Sequence, residues 1–246
     1  MIVRSNLTRV GVGVNGRRLG YCGRMTILVT GFEPFGGDPE NASAEVVARL
    51  RASAQSTGVR IATAILPVTW DGAAPALLEA IAAHRPDAVV ALGEAGGRAE
   101  VTPERRARNL GHGRIPDNAG VERPAAPLDE GSEWLDSRID PEALAEAIRG
   151  VGVPAGTSRD AGAFLCNAVF RTLLRDTDLP AAFIHLPAVR TRGAATVGSE
   201  TDPDAAAAMP ELTFDQLADA VAACIGAVVS ASGRARSCRP LRPGCP

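Results

Sequence analysis

The sequence predicts a single-domain three-layer α/β/α sandwich with a mixed, mostly parallel twisted sheet. Three observations carry this. Short apolar runs bounded by turn residues alternate with helical patterns, the signature of strands buried on both faces by crossover helices. A chain of 246 residues, 46% of them hydrophobic, can bury one substantial core. No internal repeat suggests a solenoid or a duplicated domain.

Residues 1–24 mix arginine and glycine with polar positions, hold no acidic residue and sustain neither period. They read as a disordered or non-native leader, with Met25, directly before the first convincing strand, as the expected biological start. A targeting peptide is the competing reading. Residues 25–231 form the expected domain. Strands are predicted at 26–30, 60–66, 88–92 and 181–186, with a weaker signal over 100–108. Helices are predicted at 43–52, 72–83, 141–150, about 162–175 and 213–230. Segment 111–131, rich in proline and glycine, is a long loop and therefore a candidate site wall. Arginine and proline dominate 232–246, a tail expected not to extend a helix.

Composition removes several kinds of function. A formal net charge of -2 offers no electrostatic reason to expect nucleic acid or an anionic membrane as partner. All 26 cationic residues are arginine, so neither a Schiff-base lysine nor a P-loop lysine exists. The five cysteines show no CxxC pair and no His/Cys ligand spacing, so no metal site, cofactor or disulfide framework is indicated. With no continuous apolar run of membrane-spanning length and no secretory apolar region in the leader, a cytoplasmic location is expected.

What remains for covalent chemistry is a cysteine assisted by a histidine. His84 ends a helix before Arg85 and Pro86, where a cation suits the helix dipole. His112, between two glycines, reads as a loop residue. His185 interrupts an apolar strand near its end, where α/β proteins present functional side chains, although a hydrogen-bonded core histidine fits too. Cys224 reads as a small core residue. Cys166 follows an Ala-Gly-Ala turn and falls in the first turns of a helix, where free N–H groups favour a thiolate and a developing oxyanion. A buried helical cysteine is an equal alternative. Glu104 is a candidate to orient the histidine and favour its protonated form, against a surface carboxylate balancing Arg105 and Arg106.

Five segments in colinear order change these odds. They are T-G-F-E-P-F-G-G-D-P-E-N over 30–41, A-G-G-R followed by T-P-E-R over 95–105, R-I-P-D-N over 114–118, A-G-A-F-L-C-N over 161–167, and F-I-H-L-P over 183–187. Together they resemble the pyroglutamyl peptidase I family of cysteine peptidases, over about residues 25–230. The resemblance implies an exopeptidase that releases an N-terminal pyroglutamate from peptides, with Cys166 as nucleophile, His185 as general base and Glu104 as its orienting carboxylate. It also implies that Phe32 and Phe35 line the ring pocket with Asn41 nearby, that Arg114 assists the oxyanion, and that the protein is a homotetramer.

The chain departs from the family pattern at three positions. Glu94, counted by the resemblance among the substrate-binding residues, stands where bacterial members often carry glutamine, and Asp160 and Ala163 replace hydroxyl residues, so that a carboxylate opposes the oxyanion unless neutralised. Arg98 is the candidate to neutralise Glu94. Two rival readings stand beside the enzyme: a non-catalytic homologue, and an anionic metabolite or nucleotide binder using the glycine-bearing loop after the first strand.

Overall fold

The computed structural model describes residues 24–53, 59–192 and 212–237. The predicted leader up to residue 23, the tail from 238, and Cys22, Cys238 and Cys245 lie outside the described residues. Strand β1 (Thr26–Phe32) leads to α1 (Ala42–Ser53), β2 (Arg60–Leu66), α2 (Ala73–His84) and β3 (Ala88–Ala95). Short strands β4 (Thr102–Pro103), β5 (Arg106–Arg108) and β6 (Trp134–Asp136) precede α3 (Pro141–Gly150), α4 (Leu165–Asp176), β7 (Ala181–Pro187) and α5 (Phe214–Ser237).

The main sheet has the order β2-β1-β3-β7-β4, parallel except for β4, which runs antiparallel to β7. It is therefore the mixed, mostly parallel sheet that the apolar runs predict. Alternation along each strand divides the core in two. Ile27, Val29, Val90, Leu92, Ala182 and Ile184 face one side, against α1, α3 and α5. Leu28, Phe32, Val89, Ala91, Ala181 and Phe183 face the other, against α2 and α4. From β1 the chain passes to β2 on one flank and then returns to β3 on the other. That reversal opens a crevice beyond the carboxyl ends of β1 and β3, where α/β sheets place ligands.

Several boundaries differ from expectation for local reasons. The weak signal over 100–108 resolves into two short strands, and β5 pairs with β6 in a small antiparallel sheet that the loop composition conceals. Helix α4 begins at Leu165 rather than near 162, because Gly162 has a left-handed φ of 81° and Phe164 is extended. Helix α5 continues to Ser237, into the segment read as tail, since no proline interrupts it before Pro240. The window Phe214–Ala231 of α5 is also long and apolar enough to cross a bilayer by composition, with a mean hydropathy of 1.4. Its apolar residues Leu217, Val221, Ile225 and Val228 are core residues here.

Candidate active site

A cavity of about 390 Å³ opens at the crevice, and the strand ends and loops around it contribute its walls. All the sequence-predicted site residues except Glu104 line it: Cys166, His185, Phe32, Phe35, Asn41, Glu94 and Arg114. Glu104 is buried behind His185, reaching it from the segment between β4 and β5. His112 and Arg114 sit on the exposed rim. His84 is the last residue of α2, followed by the left-handed Arg85 that caps the helix.

The nucleophile candidate is placed by the start of α4. Phe164 occupies the N-cap without a side-chain hydrogen bond, which leaves the first N–H groups of the helix free of a capping side chain. Asn167, completely buried, accepts from Arg108 N–H and donates to the carbonyls of Arg108 and Leu110, tying this helix start to β5. Gly93, opposite His185 in the sheet register, makes room for the thiol. A Cβ there would lie 2.7 Å from Cys166 Sγ and 2.8 Å from Phe183 Cζ.

His185 Nδ1 lies 2.8 Å from Glu104 Oε1, so donation of the Nδ1 proton leaves Nε2 as the basic nitrogen. The Phe183 ring packs edge-on to the imidazole at 5.0 Å. Arg98 Nη1 donates to the same Glu104 oxygen at 2.6 Å. Burial alone would raise the Glu104 carboxyl, but His185 and Arg98 outweigh it and hold the group below its ordinary value. Burial lowers His185 and Arg98 adds to this, so the pull of Glu104 is overcome. Burial pushes the Cys166 thiol up to about 12, against the opposing charge of Arg98. Both shifts run toward the uncharged forms, a thiol and a neutral imidazole. Loss of solvation is the largest influence on both groups, and it runs against the helix N-terminus at Cys166 and against the pull of Glu104 at His185.

The pocket wall corrects two further expectations. Glu94 is neutralised by Arg190 rather than Arg98, through two hydrogen bonds of 2.7 Å, and it also accepts from Ala42 N–H at 2.6 Å. Arg190 binds Asp38 as well, at 2.6 Å, joining the segment after β7 to the loop after β1. The Asp160 carboxylate turns to Gly162 N–H at 2.9 Å and does not line the cavity. Glu104 is no surface carboxylate: Arg105 pairs with Glu142, and Arg106 lies over the Trp134 ring.

In the loop 30–37, Glu33 accepts from Val68 N–H and Asn118 Nδ2. The loop thus presents an internally braced carboxylate, not a row of donors suited to phosphate. Asn41 accepts from Ser43 N–H and Oγ–H and donates to Glu33, so it caps α1 while lining the cavity. Sequence reasoning missed Arg190 and the aromatic shelf on which Phe35 and Trp70 both pack against Phe164, at 5.2 and 5.4 Å. The phenylalanine beside the cysteine was the available signal for Phe164, whereas nothing local marks Arg190.

Fold and site define a class: a cysteine-type hydrolase built on a mostly parallel α/β sheet. Residues 25–231 match the family model described as pyroglutamyl peptidase. The chain belongs to the pyroglutamyl peptidase family of cysteine peptidases. It is 37% identical over 220 residues to a pyrrolidone-carboxylate peptidase of Lacticaseibacillus paracasei, an alignment covering 85% of this chain and 95% of that protein. A protein of the same name from Gloeobacter violaceus is 40% identical over 183 residues, covering 70% and 89%. The crystal structure of pyroglutamyl peptidase I from Bacillus amyloliquefaciens superimposes with a TM-score of 0.72 at 31% identity, covering 83% of this chain and 94% of that one.

Proposed function

We propose that this protein hydrolyses the amide bond after an N-terminal L-pyroglutamyl residue of peptides, using Cys166, His185 and Glu104. The observation that carries the assignment is one cavity holding Cys166, a His185 backed by buried Glu104, and two phenylalanines on the loop after β1. Pyroglutamate is a flat, neutral lactam without an α-ammonium. Phe32 and Phe35 suit its faces, and Asn41 and Glu94 lie at the polar edge. A free amino terminus would have to lose its hydration there, which is costly without a dedicated partner.

His185 Nε2 takes the Cys166 proton as Sγ attacks the carbonyl that follows the ring. The carbonyl electrons move onto oxygen, where N–H groups at the start of α4, with Arg114 from the rim, stabilise the charge. Collapse breaks the C–N bond, and the departing amine takes the proton from imidazolium. Water, deprotonated by His185, then cleaves the thioester, releasing pyroglutamate and restoring the thiol. Glu104 holds the imidazole in the required tautomer throughout and offsets its transient charge.

A fluorogenic L-pyroglutamyl amide tests this, with the matching L-prolyl amide as a control that carries a ring and an ammonium. The wild type should cleave the first and not the second, and iodoacetamide should abolish turnover. Cys166→Ser should lose at least about a thousandfold in kcat. No hydrolysis by wild type, or full activity in Cys166→Ser, overturns the assignment.

A further inference from the structure

Glu104 Oε1 serves two donors, His185 Nδ1 at 2.8 Å and Arg98 Nη1 at 2.6 Å, and the Glu104 side chain is fully buried. The same guanidinium reaches well beyond that oxygen. Its Nη1 also donates to Thr102 Oγ1 on β4, and its Nη2 donates to Ser158 Oγ at 3.3 Å and to the Asp160 carbonyl at 3.1 Å, in the segment leading to Cys166. Arg98 further lines the cavity beside Cys166 and His185, with 26% of its side chain exposed. A planar fork with this many acceptors fixes direction as well as charge.

We propose that Arg98 is a positioning residue of the catalytic centre: it holds the Glu104 carboxylate against His185 Nδ1 and cancels its charge, so that the imidazole stays neutral until it accepts the thiol proton. This role presupposes the Cys166, His185 and Glu104 assignment above.

A buried carboxylate beside a histidine favours the protonated ring and so lowers the share of neutral imidazole ready to accept the thiol proton. Arg98 reduces that bias, because its guanidinium shares Glu104 Oε1 with His185 and its charge lowers the ring. Glu104 touches His185 and Arg98 acts on it through that carboxylate, while Asp38, Glu40, Glu94, His112, Arg114 and the Cys166 thiol line the same cavity. Glu94 acts on Cys166 from β3, and Arg190 holds it. Burial and Arg98 both lower His185, and the same cation opposes the rise of the Cys166 thiol.

The test reads His185 directly. The chain has three histidines, so their ring protons can be followed by NMR through a pH titration, with His185→Asn assigning the signal. In Arg98→Gln the His185 titration should move up by about one pH unit, and the acidic limb of kcat/KM on the pyroglutamyl amide should move with it. At neutral pH its kcat should fall about tenfold while KM stays within about twofold. Arg98→Lys keeps the cation without the fork, so its titration should stay within about 0.3 unit of wild type while kcat still falls. A purely structural arginine would lower activity and melting temperature with no movement of the titration, and that result in folded Arg98→Gln overturns the role. If Arg98→Gln does not fold, as judged by near-ultraviolet circular dichroism, a shift above about 0.3 unit in Arg98→Lys overturns it instead. Failure of wild type to cleave the amide refutes the proposed function, whereas the NMR titration still decides whether Arg98 governs His185.

Discussion

At the scale of single residues, the site depends on what is missing at position 93 as much as on what is present. Gly93 belongs to β3, and any Cβ there would enter the space of Cys166 Sγ and the Phe183 ring. Gly93→Ala must therefore shift the thiol, or the ring that packs against His185. We expect kcat to fall at least about tenfold, with a stability loss of about 1–2 kcal/mol from overpacking, read from turnover of the pyroglutamyl amide and from urea unfolding. Unchanged kcat would show that Cys166 is placed less tightly than this contact implies. Phe32 and Phe35 divide their work differently. Phe32 is almost wholly buried and belongs to the core beneath the cavity, while Phe35 is half-buried against Phe164.

At the scale of elements, the cavity is held by loops tied to one another across long sequence distances. Arg190 joins Asp38 and Glu94, Thr191 binds Glu40, and Asn118 binds Glu33. On the far side, Arg171 of α4 makes a two-pronged pair with Asp129, and Arg175 adds a third bond, fastening the long loop to the helix that carries Cys166 in its first turn. Removing Arg190 would leave two nearly buried carboxylates at the pocket wall without their cation. Arg190→Ala is expected to cost about 3 kcal/mol of folding stability, since breaking a buried pair strands its charges. The KM for pyroglutamyl amide should rise with it, and a variant of wild-type stability and KM would refute the clamp.

At the scale of the whole molecule, buried ionisable groups make the fold sensitive to acid. His185 is held neutral with its pKa below the ordinary 6.5. The unfolded chain therefore binds a proton that the native state resists, and stability falls as pH drops below about 6.5. Glu104 and Asp129 are both held below their ordinary carboxyl values, Glu104 by His185 and Arg98 against the cost of burial, Asp129 by Arg171 first. Their contribution is complete above the unfolded carboxyl range and is lost at lower pH as each is forced to protonate. The melting temperature should accordingly decline in two stages on acidification, and His185→Asn should remove the first. A variant whose melting curve keeps the upper stage would assign that stage to another group.

Much of this was legible in the primary structure, because it depends on local pattern. Apolar runs of strand length, separated by helical periods, point to strands at 26–30, 60–66, 88–92 and 181–186 in a largely buried sheet, and the structure extends three of them by one to three residues. The helix period and the turn before it place Cys166 at a helix start, and the scarcity of histidine leaves His185 as its natural companion. Only the tertiary structure decided how charge is distributed around them. Arg98 lies six residues from Glu104 and Arg190 lies 96 from Glu94, and both separations look alike in a sequence where every cation is arginine. Which carboxylate each arginine reaches is set by how β3, β7 and their loops meet above the sheet. The desolvation that shifts His185 and Cys166 toward their uncharged forms arises only when the strand ends and loops assemble around them.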